Sequence, residues 1–94
     1  MIVYDNHEIN SMYVTRDDDG TINLYPAYHD SNDDSITVFS DLKNKDGIGQ
    51  LLYGSTYTNK YIIERMEDRP THRFIGYLCG PMSFPYNPEK VKFI

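Results

Sequence analysis

Cysteine is nearly absent from this 94-residue chain. The lone Cys79 has no intrachain disulfide partner, and one thiol excludes every cysteine-rich zinc motif. Tryptophan is missing altogether. No apolar run approaches the ~20 residues that a membrane helix requires. Met1-Ile2-Val3-Tyr4-Asp5 has neither the basic start nor the apolar stretch of a secretory signal. A reducing, cytoplasmic setting is expected on these grounds. Positive charge is also scarce: nine Lys and Arg stand against fourteen Asp and Glu, for a net charge of −5. Direct binding to nucleic acid through phosphate neutralisation is not expected of such a molecule.

What the chain has is acid and tyrosine. Residues 1–47 carry ten carboxylates against the three bases Arg16, Lys43 and Lys45. Residues 48–94 reverse the balance, with four acids and six bases. Nine tyrosines supply apolar bodies with hydrogen-bonding tips, which suit both strands and surfaces that must desolvate on contact. At 39% hydrophobic and 24% charged, the composition is that of one small globular domain spanning residues 1–94.

Patterning favours strands. Met12-Tyr13-Val14-Thr15-Arg16 and Thr21-Ile22-Asn23-Leu24-Tyr25 each alternate with period two. Asp17-Asp18-Asp19-Gly20 between them has the residues of a tight turn, so a β-hairpin is predicted, with Ile22 and Leu24 on one face. Pro26 is expected to end the second strand or to place it at an edge. Ser35 to Phe39 reads as a third strand. A short helix is expected over about residues 41–53, with Ser40 as a cap and Gly54 as the stop; Gly47 and Gly49 weaken it and leave a shorter helix with Asp46 as N-cap as the alternative. Tyr57 to Met66 fits either state. The adjacent β-branched Ile62 and Ile63 favour a strand, followed by a turn at 67–71 and another strand over 73–79. Val91 to Ile94 adds a short last strand. The expected fold class is α+β and β-dominated: an antiparallel sheet of four to six strands with one short helix.

Chemical constellations are thin. Asp30 to Asp41 loosely echoes a calcium loop, yet Ser35 occupies the place of the turn glycine and Asp41 that of the bidentate Glu. Asp34, Asp41 and Lys43 are the residue types of a metal-dependent nuclease core at a permissive spacing. Cys79 with His29 or His72 would be a nucleophile–base pair without a local signature. Arg69, His72 and Arg73 offer an anion contact, and with Cys79 they define a small ligand-binding domain or enzyme as an alternative. No cofactor or metal is expected.

The leading expectation is a non-enzymatic binding protein. Short, acidic, tyrosine-rich chains of this type are common among virus- and plasmid-encoded proteins that block host nucleic-acid-handling or defence proteins, which is an analogy of type alone. Its partner would be a protein with a basic surface. The candidate contact residues are Asp17, Asp18, Asp19, Asp30, Asp33 and Asp34, with Tyr13, Tyr25 and Tyr28 as desolvated anchors. A secondary interface is expected at Tyr77, Met82, Phe84 and Tyr86, set among prolines. Homodimerisation through edge strands is the remaining alternative.

Overall fold

The computed structural model of the chain describes residues 2–67, 75–76 and 86–94. It is a strand-dominated α+β domain, the expected class. Two strands, β1 (Ile2–Tyr4) and β2 (His7–Ile9), form a separate hairpin. Five more make the main sheet: β3 (Ser11–Arg16), β4 (Ile22–Asp30), β5 (Ser35–Val38), β6 (Ile75–Gly76) and β7 (Val91–Phe93), in the order β6-β3-β4-β5-β7. All neighbours are antiparallel except β5 and β7, which run parallel, so the sheet is mixed at that edge.

The β3–β4 hairpin forms as its sequence predicts. Asp17 N–H donates to Thr21 O (2.8 Å) and Gly20 N–H to Asp17 O (2.9 Å). Gly20 has φ +91°, the left-handed residue that a three-residue hairpin loop requires. The β1–β2 hairpin is an addition to the expected strands. Its turn residues Asp5 and Asn6 have φ values of +50° and +66°, the two successive positive angles of a type I′ turn.

Pro26 does not end its strand. It lies in the middle of β4, opposite Met12 of β3, and β4 is the central strand. Ala27 O accepts from Asn10 N on the β3 side, and Pro26 O accepts from Phe39 N on the other. Successive residues aim their backbone groups at alternate edges. The Pro26 nitrogen therefore faces away from β3, where β5 has already stopped at Val38. The β3–β4 ladder loses no rung.

Two asparagines extend β4's pairing where its strand neighbours end. Asn10 Nδ2 donates to His29 O and Asn10 Oδ1 accepts from His29 N, both at 2.8 Å. On the opposite edge, Asn44 N donates to Leu24 O (2.7 Å) and Asn44 Oδ1 accepts from Leu24 N (2.8 Å). Asn44 adopts φ +56° to do so. Asn10 offers both donor and acceptor from its side-chain amide, whereas Asn44 combines its backbone N–H with its side-chain carbonyl, so each stands in for a further strand residue.

The sheet buries side chains on both faces. Met12, Val14, Ile22 and Leu24 pack with Ile9, Phe39, Leu42, Ile48, Leu52 and Ile62 on the helical side. Tyr13, Ala27, Ile36 and Val38 form the core of the other face, against Tyr25, Tyr86 and Val91. The face assignments of Ile22 with Leu24, and of Ile36 with Val38, follow the predicted alternation.

The helical side holds two departures from expectation. Helix α1 is confined to Ile48–Tyr53, with Gly47 at its N-cap (φ +82°) in place of Asp46; Gly54 ends it as predicted. A separate 3-10 turn covers Ser40–Leu42. The segment from Tyr57 to Met66, expected as a strand, is instead largely helix α2 (Asn59–Glu67), which also takes in the first residue of the expected turn. Thr58 starts it: its carbonyl accepts from Ile62 N (3.0 Å), and its Oγ1 accepts from Tyr61 N (3.1 Å). That hydroxyl satisfies an otherwise orphaned helix donor. Ile62 is then buried while Lys60, Tyr61, Glu64 and Arg65 stay exposed, a helical period that outweighs the β-branched pair. The rest of the expected 67–71 turn and most of the 73–79 strand lie outside the described residues; Ile75–Gly76 pairs with Met12 and Tyr13.

Gly49 is where the two helices meet. A Cβ there would collide with the Tyr57 carbonyl oxygen and lie 2.6 Å from Ile62 Cδ1. The glycine that weakens α1 in isolation is the one that lets α2 approach. Gly49→Ala is expected to lower unfolding free energy by roughly 1–3 kcal/mol, the usual cost of overpacking, measured by urea denaturation. A neutral result would show that α1 and α2 have room to spare at this crossing.

Asn44→Ala should cost about 1–3 kcal/mol by leaving the Leu24 N–H without its acceptor. Hydrogen exchange at the Leu24 amide should accelerate in the same variant. Unchanged protection there would refute the strand-extending role of Asn44.

Candidate interaction surfaces

The carboxylates of the acidic half are concentrated in turns because Asp side chains bond the backbone two residues on. At the β3–β4 turn, residues 17–20 are all exposed. Asp19 Oδ1 accepts from Thr21 N (2.9 Å), and Asp17 Oδ1 accepts from Asn23 Nδ2 (3.0 Å). Hydrogen bonds from Thr21, from both backbone and side chain, hold the Asp19 carboxyl below its ordinary value of 3.8.

The β4–β5 turn, residues 31–34, is built the same way. Asp30 Oδ1 accepts from Asn32 N and Asp33 Oδ1 from Ser35 N, each at 2.9 Å. Asp34 takes φ +61° and lies 2.7 Å from His29 Nε2. Lys90 Nζ donates to Asp33 O (2.6 Å), tying the approach to β7 onto this turn. The Asp33 carboxyl is also held low, first by the Ser35 side chain and backbone, with Lys90 a smaller contributor.

These two turns occupy opposite ends of nine-residue β4. At about 3.3 Å per strand residue they are roughly 26 Å apart, in a molecule measuring 31 × 30 × 24 Å. That separation is several times the Debye length of about 8 Å at physiological salt. The structure therefore does not bring Asp17, Asp18 and Asp19 together with Asp30, Asp33 and Asp34. These six carboxylates form two separate poles instead of one patch.

The tyrosine candidates divide likewise. Tyr13 is 1% exposed and belongs to the core; its ring meets Tyr86 edge-on at 5.9 Å and Phe93 at 5.5 Å. It is no surface anchor. Tyr25 is half-buried on the same face, 5.7 Å from Phe93. Tyr28 is half-buried on the opposite, helical face. Of the secondary interface only Tyr86 is described, half-buried against the second core; Tyr77, Met82 and Phe84 lie outside the described residues. So do Arg69, His72, Arg73 and Cys79.

The metal readings find no geometry here. The twelve-residue calcium loop is interrupted by β5, which also separates Asp34 from Asp41. Asp41 is beside His7, at 3.4 Å, while the His7 ring stacks on Phe39 at 4.1 Å. Among the described residues, no group of three His, Cys, Asp or Glu side chains converges as a metal site.

Sequence reasoning missed two apolar features of the surface. Phe93 and Ile94 are 50% and 53% exposed at the β7 edge. Tyr53, Tyr57 and Tyr61 form a row of edge-to-face rings, 6.0 and 5.7 Å between centroids. The tyrosine row spans the end of α1, the connection and the start of α2, so no periodicity within one element signals it.

No family model, curated protein or solved structure matches the chain. No helix among the described residues is long and apolar enough to cross a membrane.

Because the folded Asp19 and Asp33 carboxyls titrate below the unfolded value, their contribution is complete above the ordinary pKa of 3.8 and is lost as pH falls through the lower folded values. Asp19→Asn and Asp33→Asn should each flatten the acid limb of stability below about pH 4. Urea unfolding from pH 2 to 5 measures it, and limbs as steep as the wild type's would contradict the assigned bonds.

Proposed function

We propose that the protein is a non-enzymatic binding protein that engages a partner protein through the acidic pole at Asp17, Asp18 and Asp19. The observation behind this reading is that three consecutive exposed carboxylates sit on a turn held by its own backbone bonds. Charges on a preformed turn lose little conformational freedom when they bind. They oppose Arg and Lys side chains, which carboxylates bind through charge-assisted hydrogen bonds. A partner with a basic surface is thus the chemical fit, and occupying a surface that otherwise holds nucleic acid is the form of inhibition that this charge allows. The pole at Asp30, Asp33 and Asp34 has His29 and Lys90 against it, so it plays the lesser part. A reducing cytoplasm suits a chain with a single thiol.

The test is affinity capture from native host lysate at low and high salt, followed by association kinetics with the partner recovered. Changing Asp17, Asp18 and Asp19 together to Lys should slow association at least about tenfold at low salt and remove most of its salt dependence. The Asp33→Lys, Asp34→Lys double variant should have a smaller effect. Unchanged association of the triple variant would refute the proposal.

A further inference from the structure

The chain contains two Asp–Gly peptides, Asp19–Gly20 and Asp46–Gly47, and one Asn–Ser peptide, Asn10–Ser11. All three are sequences in which the following backbone nitrogen readily attacks the side-chain carbonyl carbon. The fold treats them very differently. At Asn10 both ends of the amide are committed to His29 (2.8 Å each), and Ser11 is buried. At Asp19 the carboxylate accepts from Thr21 N (2.9 Å), and the attacking nitrogen, Gly20 N, donates to Asp17 O (2.9 Å). The hydrogen bonds from Thr21 also hold the Asp19 carboxyl below its ordinary value and so favour the carboxylate, which is a poorer electrophile than the acid. At Asp46–Gly47 both residues are exposed. Gly47 has φ +82°, with open space where a Cβ would stand.

We infer that Asp46–Gly47 is a site of spontaneous isoaspartate formation and thereby a substrate site for protein-isoaspartyl carboxyl methyltransferases. Gly47 N loses its proton and forms a bond to Asp46 Cγ, and the carboxyl oxygen leaves as water. The resulting five-membered succinimide takes up one water at either carbonyl. Opening at the former main-chain carbonyl returns the chain through the side chain, with one extra backbone carbon and a free α-carboxylate. The sum of the two steps is an isomerisation, with no net consumption of water and no redox partner. The free α-carboxylate is the group that such a methyltransferase esterifies with the methyl of S-adenosylmethionine.

The position gives the change a structural consequence. Gly47 is the N-cap of α1, and its carbonyl accepts from Leu51 N (2.9 Å). Immediately upstream, Lys45 O accepts from Asn59 Nδ2 (2.9 Å), which joins this loop to α2. An extra main-chain carbon at residue 46 alters the entry to α1 and the seat of Ile48 and Leu52 in the helical-side core.

The purified chain is aged at 37 °C and pH 7.4, both folded and in urea, and then digested. Isoaspartate is located by electron-transfer fragmentation and by incorporation of one heavy oxygen from labelled water. Methyl transfer from labelled S-adenosylmethionine by a recombinant isoaspartyl methyltransferase is the second readout. In the folded chain, conversion at Asp46 should exceed that at Asp19 by roughly tenfold, since attack at Asp19 must first break the turn's hydrogen bonds. In urea the two should differ by less than about twofold, because the sequence alone then governs. Asp46→Glu should abolish most of the methyl acceptance of aged folded protein. Comparable conversion at both aspartates in the folded chain, faster conversion at Asp19, or methyl acceptance unchanged by Asp46→Glu would each overturn the assignment.

Discussion

The backbone of β4 is the constraint on which the rest depends. It is the longest strand among the described residues, it lies at the centre of the sheet, and both of its edges must be satisfied away from water. Neither β3 nor β5 is long enough to do this alone. Asn10, through its side-chain amide, and Asn44, through its backbone N–H and side-chain oxygen, complete it, one at each edge, and their placement anchors the segments on either side. Asn10 ends the β1–β2 hairpin segment against His29, and Asn44 holds the loop between the 3-10 turn and α1 against Leu24. Pro26 is tolerated because its missing donor falls in the gap between β5 and Asn44.

With β4 satisfied, the sheet is free to bury side chains on both faces. One face is covered by α1 and α2, whose contact depends on the absence of a side chain at Gly49. On the other face Tyr13 is enclosed by aromatic neighbours, Tyr86 and Phe93. Tyrosine, read from composition as contact surface, is thus partly core. Edge-to-face packing of its ring accounts for that use as well as an interface would.

The acidic residues show how one composition serves two ends. Most of the turn carboxylates accept a backbone N–H two residues ahead or a nearby side-chain donor. That is the local chemistry that makes Asp a turn former. At Asp19 and Asp33 the same bonds also hold the carboxyl below its ordinary value. The long central strand then carries the two turns beyond each other's electrostatic reach, so the six turn carboxylates stand at two poles in space.

Sequence alone determined what depends on neighbours a few residues apart. The β3–β4 hairpin, the stop at Gly54 and the alternation along β4 and β5 rest on steric preferences of single residues and on the two-residue strand period, and they needed no other part of the molecule. Tertiary structure decided the rest. Ile62 and Ile63 favour a strand by propensity, but the Thr58 cap and the close approach of Ile62 to Gly49 make their segment a helix. Pro26 reads as a stop until the edge its nitrogen faces is known. Tyr13 and Tyr25 have the same spacing signal, yet only packing buries one and leaves the other half open. The distance between Asp19 and Asp33 has no local code either. It is set by how many residues β4 pairs before its partners turn away, which is a property of the whole sheet.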